Sequence, residues 1–323
     1  MKKSQSLYAA LAAALVLSGP AFATNPADQP SPGEVSESAG APPSTSHKAA
    51  ARRVVRRTHH LRTGLDQPAL RSSSALVLDE STEAVLFSKH AELPTPIASI
   101  TKLMTALVVL EAHQPLGQTL EITPEDANLN KSSVSRLTVG AELTRGDLMH
   151  LALMSSENRA AHALGRNYPG GLAACVAAMN AKARALGMTS AHFVEPTGLS
   201  SDNVASPEDL SKLVIAASQN PTIQAYSTDS RYLVPVGRKL LEFRNTDSLV
   251  SNPSWNIVVQ KTGYIAEAGK CLVMKAIIEG RAIVIVLLDS IGKESRLADA
   301  RRIKKWMETR LTNEQPKNPA RRA

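Results

Sequence analysis

The sequence predicts an α+β domain in which an antiparallel β-sheet is flanked by helices and carries an inserted helical subdomain. Three observations support this prediction. Strand patterns rich in β-branched residues occur at residues 74–78 and 84–88 and return at residues 257–289. Helical patterns fill the region between them. A chain of 323 residues, 43% of them hydrophobic, is long enough to bury the core of such a domain.

The first 72 residues are predicted to lie outside this domain. Lys2 and Lys3, the apolar run 8–17 and the small-residue site at 21–23 are typical of an export signal that is cleaved after residue 23. Residues 24–72, rich in Pro, Ser and Arg, have too few large apolar side chains to pack and predict a linker. We therefore expect an exported, periplasmic protein with a folded domain over 73–311 and a basic polar tail over 312–323.

The elements of the domain follow in order. Residues 74–78 and 84–88 flank a polar turn and predict a β-hairpin. Residues 100–112 are apolar on nearly every face, which is typical of a helix buried in the middle of a domain. Further helices are predicted at 144–154, 159–166 and 172–186, and a fourth at 210–217 after the capping sequence Ser206-Pro207-Glu208-Asp209.

The last quarter of the domain returns to strands. They are predicted at 257–260, 271–278 and 282–289, with a tight turn at Glu279-Gly280 joining the last two. A final helix over 294–311 has apolar residues at three- and four-residue spacing: Leu297, Ala300, Ile303, Met307 and Leu311. We expect this stripe to pack on the sheet rather than lie on a membrane.

The positive charge of the chain belongs to its ends. The net charge is 37 − 29 = +8. Residues 1–72 carry 9 basic and 4 acidic side chains and residues 301–323 carry 8 and 2, so residues 73–300 carry 20 and 23. The basic flanks could make peripheral contact with a membrane or an anionic wall polymer. Aromatic residues make up only 3% of the chain, which argues against a nucleic-acid partner.

The cysteines and the missing motifs narrow the chemistry. Cys175 and Cys271 allow one disulfide, but each falls on an apolar face, which favours two buried thiols. The sequence has no zinc-ligand spacing, phosphate loop or dinucleotide fingerprint. We therefore expect neither a metal nor a cofactor.

Ser99-Ile100-Thr101-Lys102, at the start of the buried helix, is the first catalytic candidate. Residues three apart on a helix are neighbours, so the Ser99 hydroxyl and the Lys102 amine should lie within reach of each other. Lysine can activate a serine nucleophile when burial lowers its pKa. Ser290-Ile291-Gly292-Lys293 repeats the spacing, but it follows a strand and contains glycine, so we interpret it as a turn.

Two further motifs complete the candidate site. Of four Ser-x-Asn sequences, which begin at residues 156, 201, 218 and 254, Ser156-Glu157-Asn158 lies in a turn between two helical patterns, and we choose it mainly because of the family resemblance described next. The copy at 201 follows Pro196-Thr197-Gly198, a composition typical of a surface loop. Lys261-Thr262-Gly263, at the end of a predicted strand, could hold a carboxylate and let a substrate backbone approach.

Together the three motifs resemble the penicillin-recognising serine enzymes, which are the penicillin-binding proteins and serine β-lactamases. The resemblance covers roughly residues 74–311, with supporting sequence at 98–105, 155–158, 195–199 and 261–264. It is closer to the low-molecular-mass D-alanyl-D-alanine peptidases, and within them to the endopeptidase branch of the penicillin-binding protein 7 type. It implies a β-lactamase/penicillin-binding transpeptidase-like fold, with peptidoglycan peptide stems and β-lactam antibiotics as partners.

The resemblance also implies catalytic roles. Ser99 would be acylated, with Lys102 as its base. Ser156 would relay a proton to the leaving amine, assisted by Lys261. An acyl-enzyme would form and then be released by water. Glu157, between the serine and the asparagine, is expected to face away from the site.

Binding roles are implied in the same way. Asn158 would hydrogen-bond the substrate peptide, and Thr262 would bind the carboxylate beside the scissile bond. The backbone N–H groups of Ser99 and Tyr264 would form the oxyanion hole, with Gly263 between Thr262 and Tyr264.

Three alternatives to an endopeptidase stay open at this stage. A D-alanyl-D-alanine carboxypeptidase would use the same residues, although such relatives often carry an extra C-terminal domain and only 323 − 289 = 34 residues follow Asp289. A serine β-lactamase would need a glutamate poised over a water, for which Glu195 is the only candidate. A non-catalytic wall-binding or β-lactam-sensing module would have no need of the paired nucleophile and base.

Overall fold

The computed structural model describes residues 67–128, 135–237, 239–292 and 294–314. The predicted export signal, the linker up to residue 66 and the tail from residue 315 lie outside the described residues. The boundaries proposed for these segments stay predictions.

A five-stranded antiparallel sheet forms the centre of the described chain, in the order β2-β1-β11-β10-β9. The strands are β1 Ser72–Asp79, β2 Ala84–Lys89, β9 Asn256–Ile265, β10 Gly269–Ile278 and β11 Arg281–Ser290. The first strand pairs directly with the last, with Val77 opposite Ile285. The predicted sheet built from both ends of the domain is therefore confirmed. Glu279 and Gly280 both have positive φ, as a tight hairpin turn requires.

Each face of the sheet is covered by helices. Along β11, alternate residues point to opposite faces: Ile283 and Ile285 pack with the final helix α8, Ser295–Glu314, while Val284 and Val286 pack with the other helices. Leu297, Ala300, Ile303 and Met307 of α8 are buried against the sheet, as their spacing predicts. The remaining helices are α1 Thr101–Glu111, α2 Pro124–Ala127, α3 Arg145–Met154, α4 Asn158–Arg166, α5 Gly171–Ala185, α6 Pro207–Ala217 and α7 Pro221–Thr228.

Helix α1 is the centre of the helical subdomain. A short 3₁₀ helix, Ala98–Ile100, leads into it, and every residue from Thr101 to Val109 is buried. It packs against α3, α4, α5 and α6, which explains why it is apolar on nearly every side. The predicted start of α6 is also confirmed, since the Ser206 hydroxyl accepts the Asp209 N–H at 3.1 Å.

Several elements differ from the sequence prediction. The hairpin of β7 Arg231–Val236 and β8 Lys239–Arg244 was not predicted, because Pro235 interrupts its alternating pattern. Two short strand pairs were also missed: β3 Thr95–Pro96 with β6 Val204–Ala205, and β4 Thr119–Glu121 with β5 Glu142–Thr144.

The extent of β9 corrects one expectation that bears on the site. Lys261-Thr262-Gly263 lies inside this strand rather than at its end, because pairing with β10 continues to Ile265 and places Gly263 opposite Cys271. Cys175 and Cys271 are free and buried, which confirms the favoured interpretation of two thiols. In the described part of the chain, no helix combines the length and apolar character needed to cross a bilayer.

Candidate active site

Ser99 and Lys102 meet where the 3₁₀ helix leads into α1. The Lys102 Nζ donates to the Ser99 Oγ at 2.8 Å, and both side chains are buried. The preceding residue, Ala98, has a φ of +48°, which is uncommon for a residue with a side chain. Gly198 packs against it, and a Cβ at Gly198 would lie 1.9 Å from the Ala98 carbonyl oxygen. This contact and the Gly198 φ of +80° require glycine there.

Lys102 is held by two further acceptors. Its Nζ donates to the Asn158 Oδ1 at 2.7 Å and to the Thr197 carbonyl at 2.6 Å. Burial lowers the pKa of Lys102 to about 7, although Glu195 and Glu157 act in the opposite direction. About half of an amine with such a pKa is unprotonated at pH 7 and available as a base.

Ser156 lies across the cleft from Ser99, in the turn between α3 and α4. Its φ is +61°, a second left-handed residue with a side chain at this site. The Ser156 Oγ accepts from the Nζ of Lys261 at 2.9 Å. Lys261, in β9, is fully buried, and burial together with the positive charges of Lys102 and Arg296 holds its pKa well below its usual range.

Strand β9 passes against the turn that carries Ser99. A Cβ on Gly263 would lie 3.0 Å from the Ile97 carbonyl oxygen and 3.1 Å from the Ser99 nitrogen, so a side chain at this position would crowd that turn. The Thr262 Oγ1 lies 2.5 Å from the Oγ1 of Thr246, and the Tyr264 side chain is exposed. The structure therefore brings the three motifs together around one cleft.

The competing copies of the motifs lie elsewhere. The Ser218 hydroxyl accepts from Lys275, and Ser254 is in an exposed turn. Ser290 ends β11. Asn203 of the copy at residue 201 is buried, and its side chain donates to the Thr101 hydroxyl at 3.1 Å and to the Glu195 carbonyl at 2.9 Å. Asn203 thus supports the loop behind Ser99 without facing the cleft residues.

One expectation about this region was wrong. Pro196, Thr197 and Gly198 are buried against α1 and the turn at Ala98, whereas their composition predicted a surface loop. Tertiary packing decides the placement of this loop, which the local sequence does not encode. Glu157 was expected to face away from the site; its side chain is buried and accepts the Arg159 N–H at 3.3 Å.

Three residues that contribute contacts to the site were not predicted from the sequence. The Thr197 carbonyl holds Lys102, the Thr246 hydroxyl contacts Thr262, and the Nη1 of Arg296 in α8 donates to the Gly263 carbonyl at 2.8 Å. Backbone contacts leave no signal in residue type. For the loop at Thr197, the sequence signal was the inclusion of residues 195–199 in the family resemblance.

Glu195 has a structural place in that loop. One carboxylate oxygen accepts from the Thr197 N–H and hydroxyl at 2.6 and 2.5 Å, and the other accepts from the Gly198 N–H at 2.6 Å and the Asn203 amide at 2.9 Å. Both oxygens are therefore used in folding the loop. Among the described residues, no three His, Cys, Asp or Glu side chains cluster as metal ligands.

Comparisons with known proteins agree with one another. A family model described as D-alanyl-D-alanine carboxypeptidase matches residues 62–292. The chain is 48% identical to a D-alanyl-D-alanine endopeptidase of Pseudomonas aeruginosa, over 75% of this chain and 79% of that protein. It is 45% identical to a D-alanyl-D-alanine endopeptidase of Escherichia coli, over 76% and 80% of the two chains. The crystal structure of a Streptomyces DD-transpeptidase superposes with a TM-score of 0.71 at 26% identity, over 76% of this chain and all of that one.

Proposed function

The chain belongs to the D-alanyl-D-alanine carboxypeptidase family, and from this premise we propose that it is a serine endopeptidase that hydrolyses the D-alanyl cross-links of peptidoglycan. The relatives named endopeptidases share 48% and 45% of their residues with it over three quarters of the chain. Relatives named carboxypeptidases, from Streptomyces and Bacillus subtilis, are each 29% identical. The cleft and these identities together favour cleavage of a cross-link between D-alanine and diaminopimelate.

The contact of 2.8 Å between the Lys102 Nζ and the Ser99 Oγ carries this proposal. Lys102, with its pKa lowered to about 7, takes the proton of the Ser99 hydroxyl as the oxygen attacks the D-alanyl carbonyl. The backbone N–H groups of Ser99 and Tyr264 stabilise the developing oxyanion. Support for this pairing comes from Gly263, whose lack of a side chain lets β9 approach the Ser99 nitrogen.

Departure of the amine needs a proton, and Ser156 with Lys261 supplies it. Ser156 relays to the leaving nitrogen the proton that Lys102 took from Ser99, and Lys261, whose Nζ lies 2.9 Å from the Ser156 Oγ, assists this transfer. The acyl-enzyme on Ser99 is then hydrolysed by water, which restores the free serine. β-Lactam antibiotics acylate the same hydroxyl, because they present a reactive acyl group to the same donors.

Binding residues hold the substrate on both sides of the scissile bond. Asn158, already fixed by Lys102, hydrogen-bonds the acyl peptide. Thr262 and Lys261 bind the carboxylate beside the leaving nitrogen, and Arg296 adds positive charge behind Gly263. A β-lactamase activity is disfavoured, because both oxygens of Glu195 are engaged within their own loop.

The place of action follows from this substrate. Peptidoglycan lies outside the cytoplasmic membrane, and the N-terminal sequence is typical of an export signal. We therefore assign the protein to the periplasm, with its basic flanks in peripheral contact with the membrane or the wall. The export signal and the N-terminal flank up to residue 66 lie outside the described residues, whereas residues 301–314 of the C-terminal flank belong to α8.

Digestion of purified cross-linked muropeptides tests the proposal. An endopeptidase releases monomers, a carboxypeptidase releases free D-alanine, and a sensing module releases neither. Dimers that stay intact while D-alanine accumulates would exclude the endopeptidase assignment.

Labelling with fluorescent penicillin tests the nucleophile. Ser99→Ala should remove the label completely while the circular dichroism spectrum stays unchanged, and Ser290→Ala, at the second copy of the motif, should label like the wild-type protein. Persistent labelling of the Ser99→Ala variant would disprove the role of Ser99.

A further inference from the structure

A cavity outside the cleft opens beside Ser156, the proposed proton-relay residue. It has a volume of about 440 Å³ and is lined by Arg136, Ser155, Glu157, Glu242, Phe243 and Arg244. Ser155 and Glu157 flank Ser156 in the turn between α3 and α4, so the cavity adjoins the catalytic cleft. Such a volume is sufficient for an amino-acid-sized group. The proposed mechanism gives no role to any of these six side chains.

The buried wall of this cavity carries a carboxylate. Glu157 is only 8% exposed; it accepts the Arg159 N–H at 3.3 Å and a hydrogen bond from the Ser135 hydroxyl. Within the described ranges, no cationic side chain comes within ion-pair distance of it. Burial raises the pKa of this carboxyl, which reflects the cost of keeping an anion there. An ammonium group entering the cavity would offset that cost.

The open side of the cavity carries two guanidinium groups. Arg136 lies over the Phe243 ring, 3.8 Å from its centroid, and its Nη1 donates to the Glu242 carbonyl at 2.6 Å. Arg244 is exposed and pairs with the Glu242 carboxylate at 2.7 Å through its Nε. A guanidinium offers five N–H donors in a planar fork, more than these contacts use. Both arginines are therefore able to receive a carboxylate at the mouth of the cavity.

We propose that this cavity binds a zwitterionic amino-acid end group, with its ammonium on Glu157 and its carboxylate on Arg136 and Arg244. The inference rests on the proposed function, since peptidoglycan stems supply such a group. The diaminopimelate that precedes the acyl D-alanine ends in an ammonium and a carboxylate on one carbon. Thr262 and Lys261 take the carboxylate on the leaving side, and on the acyl side this free end is the group that pairs an ammonium with a carboxylate, as the cavity does with opposite charges. The cavity would thus select the stem on the acyl side.

Paired substrates test the inference. One cross-linked muropeptide dimer keeps the free ammonium on the acyl-side diaminopimelate, and a second has that nitrogen acetylated. We expect acetylation to lower kcat/KM by about tenfold or more, as for the loss of a charge-assisted hydrogen bond. Glu157→Gln should reduce this discrimination, and Arg136→Ala with Arg244→Ala should lower kcat/KM for the free dimer by a similar factor.

Control measurements separate the cavity from the catalytic machinery. Arg184→Ala removes an exposed arginine that lines another cavity, of about 610 Å³, at the end of α5, and it should leave the discrimination intact. Acylation by a penicillin, which lacks the zwitterion, should be equal in the wild-type protein and the double arginine variant. A cavity variant that loses penicillin acylation as well would contradict a role confined to the substrate end group.

The outcomes distinguish the two proposals. Equal cleavage of the free and acetylated dimers would overturn the binding site while leaving the endopeptidase function standing. If neither dimer is cleaved, the endopeptidase function fails. The site is then tested by competition, in which stems with the free ammonium must slow penicillin acylation at lower concentration than acetylated stems. Equal competition by both stems would overturn the binding site in that case.

Discussion

Two groups of buried ionisable side chains in this molecule are built in opposite ways. In the first, which we call the Asp126 cluster, the carboxylate of Asp126 is fully buried between His162 and Arg166. In the second, the catalytic cleft, Lys102 and Lys261 are buried beside each other. The first group joins opposite charges and the second joins like charges.

The Asp126 cluster satisfies its charge. Asp126 accepts from the His162 Nδ1 at 2.7 Å, from the Arg166 Nη2 at 2.8 Å and from the Thr123 N–H at 2.8 Å. Although burial alone would raise the pKa of Asp126, these donors hold it well below its usual range. The folded state therefore favours the charged form. The cluster joins α2 to α4 and contributes to stability.

In the catalytic cleft, by contrast, the buried amines have no partner of opposite charge among the described residues. Burial lowers the pKa values of Lys102 and Lys261, and in the described part of the chain neither amine has a carboxylate within ion-pair distance. The folded state therefore favours the neutral amine at Lys102, which is the form that a general base needs. In the Asp126 cluster, pairing of buried charges therefore stabilises the fold, whereas in the cleft the unpaired amines have the lowered pKa values that the proposed chemistry needs.

Removing the amine of Lys102 should have the largest effect on activity. We expect Lys102→Met to lower the rate constant of penicillin acylation by about 10²–10⁴, the usual contribution of a positioned base. The unfolding free energy should change far less, by about 1 kcal/mol, because burial of the amine already works against the charged form. Stopped-flow acylation and thermal melts measure the two quantities. A variant that acylates at nearly the wild-type rate would show that another group acts as the base.

Removing Asp126 should lower the stability of the protein strongly and leave the acylation rate unchanged. Asp126→Ala leaves His162 and Arg166 without their partner, and we expect the unfolding free energy to fall by about 3–5 kcal/mol. Asp202→Ala, at an exposed carboxylate, is the matched control and should leave stability unchanged. The folded fraction of the Asp126→Ala variant should still acylate at the wild-type rate. Loss of acylation without loss of stability would contradict the division between the two groups.

Acylation should also respond to pH in a range where the Asp126 cluster does not. The proposed role of Lys102 as a base requires its unprotonated form, and its pKa is lowered to about 7, so the acylation rate should fall about tenfold per pH unit below that value. The pKa of Asp126 is lowered on folding, so its contribution to stability is complete above its unfolded value near 4 and is lost only as the pH falls through the folded value. A penicillin acylation profile from pH 5 to 9 checks the first expectation, and urea melts of the wild-type and Asp126→Ala proteins at pH 5 and 7, whose difference should be the same at both values, check the second. A flat acylation profile would remove Lys102 from the role of base.

The sequence was most informative where function follows from spacing within one element. Ser99 and Lys102 are neighbours because they lie three residues apart across the start of a helix, and the stripe of α8 packs for a similar reason. Contacts between distant segments were predicted only through the resemblance. The placement of the loop at Thr197, the burial of Glu157 and the donation from Arg296 depend on packing that the local pattern does not encode. The hairpin of β7 and β8 was missed as well, and with it the wall of the cavity beside Ser156.

Replacing Thr246, just after β8, should have the smallest effect on activity among these substitutions. Its hydroxyl lies 2.5 Å from that of Thr262, and its backbone N–H is fixed by the Met154 carbonyl, so it orients the group proposed to bind the substrate carboxylate. Thr246→Val keeps the shape but removes this hydrogen bond, and we expect kcat/KM to fall about threefold to tenfold. The loss should lie mainly in KM, and Thr246→Ser should restore the wild-type value.

A substrate with an amide in place of that carboxylate separates positioning from a merely structural role for Thr246. Because the amide lacks the charge that Thr262 helps to bind, the Thr246→Val variant and the wild-type protein should cleave it at similar rates. An equal loss on both substrates would show that Thr246 only supports the local fold. The Thr246 hydroxyl would then contribute to stability, as the Asp126 cluster does, and not to substrate binding in the cleft.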